Sequence, residues 1–337
     1  MGAHLVQSLL DDGHEVIVLD NFWTGSASSL NHLTTHPNLE LIRYDTPLQI
    51  HTARDSGNAD LDRHNVIDAF PTDIRASHIY HLACPASPVH FARKPISILE
   101  TCFLGTRNAL EAARQWNAKL LLASTSEVYG DAKQCPQTED YFGNVNPFGP
   151  RSCYDEGKRV AEALVFAYKH EHALDLKVAR IFNAYGPGMH GTDGRVISSF
   201  ISRALCGEDL LIHGSGDASR SFQYVGDCVN GLRILMESAW NEGPVNLGCE
   251  DEISINDLAR IVVQRVASIT GNREAGIKHG DAMVDDPVRR KPDCTLARRI
   301  LDWTPKVELS DGLEYTIAWH VQMMSSGSEA SSKSHDV

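Results

Sequence analysis

The 337-residue sequence predicts an α/β fold in which a doubly wound, mostly parallel sheet is followed by a smaller C-terminal lobe. Short apolar runs recur through the first half of the chain, and helix-like segments lie between several of them. Strands that alternate with helices favour a parallel sheet covered on both faces. A hydrophobic content of 42% is enough to bury a large core.

The first half opens with a predicted helix over residues 1–13, which carries leucine and valine at helical spacing and ends in a glycine. Five strands are predicted after it, over residues 15–19, 39–42, 78–82, 119–123 and 176–181. Residues 49–75 separate the second and third strands by more than a short connection requires. Because they are polar, charged and weakly periodic, we interpret them as a loop insertion.

The second half begins after about residue 185, where the pattern loosens into loops that contain glycine and proline. Helices are predicted over 196–205, 254–269 and 295–301. We expect this half to form the smaller lobe, with loops that return over the carboxyl edge of the sheet. The last residues are Ser-rich and without periodicity, which predicts disorder. The predicted division is therefore 1–185, 186–322 and a tail over 323–337.

Charge and composition exclude several classes of partner. A formal net charge of -13 disfavours nucleic acids and anionic membranes, because an acidic surface repels polyanions. No apolar run reaches the roughly 18 residues of a membrane span, so we expect no membrane segment in this chain and a cytoplasmic protein. A membrane anchor encoded ahead of Met1 stays open as the alternative. The eight cysteines show no metal-ligand spacing, which predicts free thiols and no metal site.

The start of the chain carries part of a dinucleotide-binding pattern. Gly2 fits the last glycine of a G-x-G-x-x-G turn, and Asp20 fits the carboxylate that binds the adenosine ribose. These two residues alone are weak evidence, since both are common structural features. The fold is then of the Rossmann type with its first strand missing, which leaves neighbouring strands with unpaired edges. Two alternatives stay open: a truncated gene model, or a chain that binds NAD weakly.

A tyrosine and a lysine four residues apart give the strongest chemical indication. On a helix Tyr154 and Lys158 share one face, and a nearby ammonium favours the phenolate. Tyr154 would then remove a hydroxyl proton while hydride leaves for a nicotinamide. The same spacing arises by chance in many helices. The polar residues 124–127, directly after a strand, add support, although helix capping is the commoner role of such residues.

Basic and amide side chains are scattered through the second half of the chain. Asn183 closes a strand, and Arg220 and Arg290 follow on later segments. A solvated surface arginine is the default interpretation of each. In an acidic protein, however, separated arginines that converge fit a diphosphate, which arginine binds in bidentate fashion.

Together these motifs resemble the extended short-chain dehydrogenase/reductase family, and within it the branch that decarboxylates UDP-glucuronate. The resemblance covers nearly all of residues 2–320, and the blocks 81–88 and 143–158 are typical of that branch. It implies an enzyme that converts UDP-glucuronate to UDP-xylose through a 4-keto intermediate with recycled NAD. It also implies a homodimer formed through a helix bundle that includes residues 154–170. The other stretches that carry the resemblance are 18–25, 123–131, 179–183, 193–196 and 285–293.

The resemblance implies roles for individual residues. NAD would be lined, together with Gly2, by Asp20, Asn21, Phe22, Asp45, Leu82, Thr101, Tyr154, Lys158, His190 and Arg195. The UDP-sugar would be held by Asn183, Arg220 and Arg290. The implied catalytic residues are Tyr154, Lys158, Glu127, Thr125 and Ser126, the last three facing the sugar ring. Glu127, through a water, would supply the proton that C5 takes up after CO2 has left.

One residue departs from the family pattern. The decarboxylases usually carry lysine where Glu100 stands, just before Thr101. A carboxylate there would repel a glucuronate unless it is protonated or turned away. Glutamate at this position is familiar in epimerases and dehydratases. The alternatives are therefore a UDP-glucuronate 4-epimerase, another NAD-dependent nucleotide-sugar epimerase or dehydratase, or a truncated inactive homologue.

Overall fold

The computed structural model describes residues 1–45, 75–271, 273–282 and 289–325. The predicted insertion up to residue 74, residues 285–288 of the decarboxylase-like stretch and the tail beyond residue 325 lie outside these ranges. Among the described residues, none of the helices combines the length and apolar composition needed to cross a bilayer.

The first half follows the predicted order, and each strand lies within two residues of its predicted range. Its elements are α1 (Gly2–Asp11), β1 (Val16–Asp20), β2 (Leu39–Arg43), β3 (His78–His81), α2 (Pro88–Arg93), α3 (Pro95–Glu100), α4 (Thr106–Trp116), β4 (Lys119–Thr125), α5 (Ser152–His172) and β5 (Leu176–Ile181).

The second half combines short strands with helices. Its elements are β6 (Ala184–Tyr185), α6 (Val196–Leu205), β7 (Leu210–His213), β8 (Ser219–Ser221), β9 (Gln223–Tyr224), α7 (Val225–Glu237), β10 (Val245–Leu247), β11 (Glu252–Ser254), α8 (Ile255–Thr270), β12 (Ile277–Gly280), β13 (Arg289–Arg290), α9 (Thr295–Leu301) and α10 (Leu309–Ser325). The three predicted helices are α6, α8 and α9. Helices α7 and α10 were not predicted.

The sheet of the first half is parallel, as predicted, and it is interrupted. Strands β10, β5, β4 and β3 pair in that order, and all their pairings are parallel. Strands β1 and β2 form a separate parallel pair. Within the described ranges no strand pairs with the second edge of β1 or of β3. This break falls where the Rossmann order has its first strand.

The core forms on both faces of the larger sheet. The middle of strand β4 is an apolar run, and Leu120, Leu121 and Leu122 are fully buried, as expected for a strand covered on two sides. Helices α4 and α5 pack on one face, while α7 and α9 pack on the other. A second core lies between α6, α8 and α10. Strand β10 comes from the second half of the chain but joins the sheet of the first half. The predicted domain boundary near residue 185 therefore stays a prediction.

Candidate functional site

Helix α5 places the predicted tyrosine and lysine on its buried side. Tyr154 is 5% exposed and Lys158 4%, and the Lys158 Nζ lies 5.9 Å from the centre of the Tyr154 ring. Lys158 donates a hydrogen bond to the Ala123 carbonyl oxygen at 2.8 Å, which fixes it against the end of β4. Among the described residues, Lys158 forms no ion pair with a carboxylate. Its charge is therefore available to a group that enters the site.

The Tyr154 phenol is held firmly by an aromatic ring and a hydroxyl group. Its ring stacks on Phe91 with centroids 4.9 Å apart, and its hydroxyl hydrogen-bonds with Thr125. Burial raises the pKa of Tyr154 well above its ordinary value, the Cys84 thiol adds to this, and the Thr125 contact opposes it. The sequence alone predicts a phenolate favoured by Lys158. The phenolate that Lys158 favours belongs to the state with NAD bound, so this stays a prediction.

Two arginines converge on Glu127. This residue follows β4 in a short 3-10 turn that also holds the buried Ser126. Its Oε2 atom accepts hydrogen bonds from Arg151 Nη2 at 2.7 Å and Arg290 Nη2 at 2.9 Å. Burial opposes ionisation, but Arg290, Arg151 and Arg220 outweigh it and hold the pKa of Glu127 below its usual range. Glu127 is therefore held as an ionised acceptor in this structure, and its role in protonating C5 through a water stays a prediction.

The three residues predicted to hold the UDP-sugar meet in one patch. Strand β13 pairs with β8 so that Arg290 lies opposite Arg220, and both are buried. Arg290 Nη1 donates to Asn183 Oδ1 at 3.2 Å, and Asn183 Nδ2 donates to the Ser221 carbonyl oxygen at 2.9 Å. Residues far apart in the sequence thus form a buried cationic patch beside Glu127, which is the arrangement expected for binding a diphosphate or a carboxylate.

Sequence reasoning missed two members of this cluster, Arg151 and Asp155. Arg151 is the N-cap of α5, where the helix dipole disfavours a cation, and this mismatch is the feature that would have singled it out. Its Nε lies 3.8 Å from Asp155 Oδ2. Burial raises the pKa of Asp155 to about 7, with Glu127 adding to the shift and Arg151 opposing it. Asp155 therefore gains or loses its proton near neutral pH, where an ordinary aspartate is fully ionised.

A polar cluster lies at the carboxyl ends of β1 and β2, as predicted for the adenosine side of a dinucleotide. Asp20 Oδ1 accepts a hydrogen bond from the Phe22 backbone N–H at 2.7 Å, and Phe22 has a φ of 55°. Asn21 Nδ2 donates to Asp45 Oδ1 at 3.2 Å. The backbone turn leaves the other carboxylate oxygen of Asp20 facing Gly25, where a Cβ would lie 3.8 Å away.

The loop over residues 186–195 is tied to the first turn of α1. His4 Nε2 lies 2.7 Å from the Pro187 carbonyl oxygen. Ser87 donates a hydrogen bond to the Asp193 carbonyl oxygen, which brings the loop after β3 to the same place. A Cβ at Gly2 would meet no atom within 4 Å, so open space adjoins the start of α1. Three chain segments thus surround that helix terminus.

Other predicted residues make local contacts. His190 Nδ1 lies 2.8 Å from Thr192 Oγ1, and Arg195 forms an ion pair with Asp193 at 3.0 Å. Leu82 packs in an apolar cluster, and Thr101 Oγ1 donates to the Ser97 carbonyl oxygen in its own helix. None of these contacts joins them to the Glu127 cluster.

Glu100, the departure from the family pattern, is exposed at the end of α3. Among the described residues it forms no ion pair and no side-chain hydrogen bond. This placement matches the outward-turned alternative, in which the carboxylate does not repel an acidic substrate.

The chain is similar in sequence to known proteins. The sequence model that describes the GDP-mannose 4,6 dehydratase family matches residues 1–316 of this chain. UDP-glucuronic acid decarboxylase 1 of Xenopus tropicalis is 47% identical over 94% of this chain and 69% of its own length. UDP-glucuronic acid decarboxylase 5 of Arabidopsis thaliana is 45% identical over 93% of this chain and 84% of its own.

Two solved structures are similar in fold. The UDP-glucose 4-epimerase of Thermotoga maritima with UDP-glucose has a TM-score of 0.81 and 26% identity, and covers 96% of both chains. The UDP-glucuronic acid 4-epimerase of Bacillus cereus, in complex with UDP-glucuronic acid and NAD, has a TM-score of 0.77 and 25% identity, also over 96% of both chains. These neighbours agree with the predicted Rossmann-type architecture.

Proposed function

The chain belongs to the GDP-mannose 4,6-dehydratase family and, within it, to the UDP-glucuronate decarboxylases, and we propose that it converts UDP-glucuronate to UDP-xylose and CO2 with recycled NAD. The observation that carries the proposal is the meeting of Tyr154, Lys158 and Thr125 with Glu127, whose side chain is 12% exposed, and the buried Arg290. A hydroxyl-activating phenol and a cationic carboxylate-binding patch are the two devices that this reaction requires.

The donor set fits NAD. Asp20 has a carboxylate oxygen open to a ribose, Gly2 leaves space at a helix N-terminus for a pyrophosphate, and Lys158 has no competing anion. When bound, NAD takes the hydride from C4 of the sugar and later returns it to the same carbon. The residues that we propose to line it are Gly2, Asp20, Asn21, Phe22, Asp45, Leu82, Thr101, Tyr154, Lys158, His190 and Arg195.

The substrate side is assigned to the buried cationic patch. We assign Asn183, Arg220 and Arg290 to the UDP-sugar. Guanidinium groups bind phosphate and carboxylate oxygens in pairs, and a buried guanidinium has little water to displace. The net charge of -13 makes this local cationic patch decisive for attracting a polyanionic ligand.

Tyr154 acts first as base and then as hydrogen-bond donor. As the phenolate, which Lys158 and the positive charge of the nicotinamide would favour, it takes the C4 hydroxyl proton while Thr125 supports its oxygen. Oxidation at C4 makes a β-keto acid, and the C4 oxygen accepts the electrons that the departing carboxylate leaves behind. The protonated Tyr154 then stabilises that oxygen, which its raised pKa favours. A water oriented by the ionised Glu127 gives a proton to C5, and the hydroxide that remains takes a proton from bulk solvent, so the carboxylate keeps its charge.

Incubation with NAD and UDP-glucuronate tests the proposal. Release of CO2 together with a UDP-pentose, identified by mass spectrometry, is the expected result. The second candidate is a 4-epimerase, favoured by glutamate at position 100, and it would yield a UDP-hexuronate isomer without CO2. If neither product forms, calorimetry with NAD decides whether the chain is an inactive homologue, because no heat even at millimolar cofactor would mean that the cofactor site does not work.

We also propose a homodimer that pairs through α3 and α5. Phe166 of α5 is 72% exposed, and Ile96, Leu99 and Phe103 are exposed on or next to α3. Helices α3 and α5 contact each other, so these side chains belong to neighbouring elements. Exposed apolar side chains of this size favour an interface. Light scattering after size-exclusion chromatography is expected to give twice the chain mass of 37.1 kDa, and a single-chain mass for Phe166→Glu.

A further inference from the structure

Two cysteines lie side by side next to the Tyr154 ring. Cys84 is in the loop after β3, and Cys102 is in the π-helical turn Thr101–Gly105 that continues α3. Their Sγ atoms are 3.3 Å apart. A disulfide bond is about 2.05 Å long, so the two sulfurs need to approach by little more than about 1 Å. Cys102 is 1% exposed, while Cys84 is half-buried and is therefore the more exposed of the two.

The two thiols have different acidities. Donation from Cys102 lowers the pKa of Cys84, and the Lys158 charge adds to this effect against burial. The same contact, followed by burial, raises the pKa of Cys102 above its ordinary value. Because the thiolate is the reactive form of cysteine and Cys84 is the more exposed of the two sulfurs, we assign the attack on an oxidant to Cys84 and the resolving step to Cys102.

The pair is packed directly against the helix that carries the phenol. Cys102 and Tyr154 share one buried cluster with Phe91, and Cys84 borders it. A Cβ on Gly157 would lie 2.9 Å from the Cys102 Cβ, so α5 touches Cys102 without spare room. A movement of the Cys102 side chain is therefore transmitted to the turn of α5 between Tyr154 and Lys158.

We propose that Cys84 and Cys102 form a reversible oxidation site, which peroxide converts to an intramolecular disulfide that slows turnover. The Cys84 thiolate attacks one oxygen of hydrogen peroxide, so the O–O bond breaks, one water is released after protonation, and a sulfenic acid remains. The Cys102 sulfur then attacks the Cys84 sulfur and displaces its hydroxyl, which leaves with the Cys102 proton as a second water. The two thiols together lose two electrons, and the peroxide gains them.

Formation of the bond is tested by mass spectrometry and is independent of the proposed function. The full chain is treated with hydrogen peroxide, alkylated with iodoacetamide and digested with trypsin, which places Cys84 in peptide 76–93 and Cys102 in peptide 94–107. We expect these two peptides joined, and separated by dithiothreitol. Cys206→Ser, at an exposed cysteine, is the matched control and keeps the link, whereas Cys84→Ser loses it. Two separately alkylated or separately over-oxidised peptides would overturn the proposal.

The effect on turnover rests on the proposed function and is measured on the same samples. A displacement of about 1 Å near the reacting groups costs up to roughly 100-fold in rate, so we expect at least about a tenfold loss on oxidation and recovery with dithiothreitol. Cys84→Ser, or Cys84→Ala if the serine variant folds poorly, keeps its rate in peroxide. A disulfide with unchanged turnover would overturn the regulatory part. If the reduced chain has no activity on UDP-glucuronate, the proposed function fails while the peptide result still decides on the disulfide.

Discussion

Replacing Arg151 by glutamine removes one of the two guanidinium groups that contact Glu127. The Arg151 and Glu127 side chains are 11% and 12% exposed, so water replaces little of what is lost. A hydrogen bond to a charged group contributes about 1.5–3 kcal/mol, whereas leaving a buried charge without any partner costs about 3–5 kcal/mol. Arg290 still contacts Glu127 at 2.9 Å in this variant. Glu127 therefore keeps a partner, and the larger cost of a buried unpaired charge does not apply. We expect a loss of about 2–3 kcal/mol in the free energy of unfolding.

Urea unfolding at pH 7.5 and at pH 4 measures this loss and its origin. Glu127 has a depressed pKa in the folded state, so its contribution is present above the unfolded pKa and is lost as the pH falls through the folded value. The difference between wild type and Arg151→Gln therefore shrinks at pH 4. Arg260→Gln is the control, since its partner Asp257 and the arginine itself are more than half exposed, and we expect less than about 0.5 kcal/mol. An Arg151 variant within that margin at pH 7.5 would refute the reasoning.

Three further changes probe the site. Tyr154→Phe removes the oxygen that we propose as the base for the C4 proton, so turnover should vanish while the thermal midpoint stays within a few degrees; wild-type-like turnover would exclude Tyr154 as the base. Asp155 has a pKa raised to about 7, so its contribution to stability falls as the pH rises from about 4 to about 7, and Asp155→Asn should stabilise at pH 8 but not at pH 4 in urea unfolding. Glu100→Lys changes an exposed side chain, so the same product should form. The KM for UDP-glucuronate should change less than about threefold, which corresponds to roughly 0.5–0.7 kcal/mol. A switch of the product from hexuronate to pentose would instead make this residue a determinant of specificity.

The strands and most helices were predictable because their pattern is local. The middle of strand β4 is an apolar run, and it is buried on both sides as such runs predict. Helix α7 was missed because Gly226 and Gly231 lower its helix propensity. Gly231 is in fact required by packing, since a Cβ there would lie 2.9 Å from the Trp303 ring. Tertiary packing against Trp303 thus outweighs the low helix propensity of the glycines in α7.

The chemistry of the site was predictable in its residue types and less so in their charge states. Spacing alone paired Tyr154 with Lys158, and the structure keeps them one turn apart. Spacing could not predict that burial dominates the acidity of the phenol. Nor could it predict the contacts of Glu127, whose partners lie 24 and 163 residues away in the sequence. Ion pairs at such separations have no periodic signature.

The separation of 163 residues between Glu127 and Arg290 has a consequence for biosynthesis. A nascent chain on the ribosome exposes Tyr154, Lys158 and Arg151 long before Arg290 has been translated. Before Arg290 is translated, Glu127 has only its Arg151 contact of the two described above. Strand β8 also lacks its pairing with β13, which places Arg290 opposite Arg220. The cationic patch beside Glu127 therefore forms last, after the strands of the sheet have been translated, and a chain that ends before residue 290 has those strands but no complete patch.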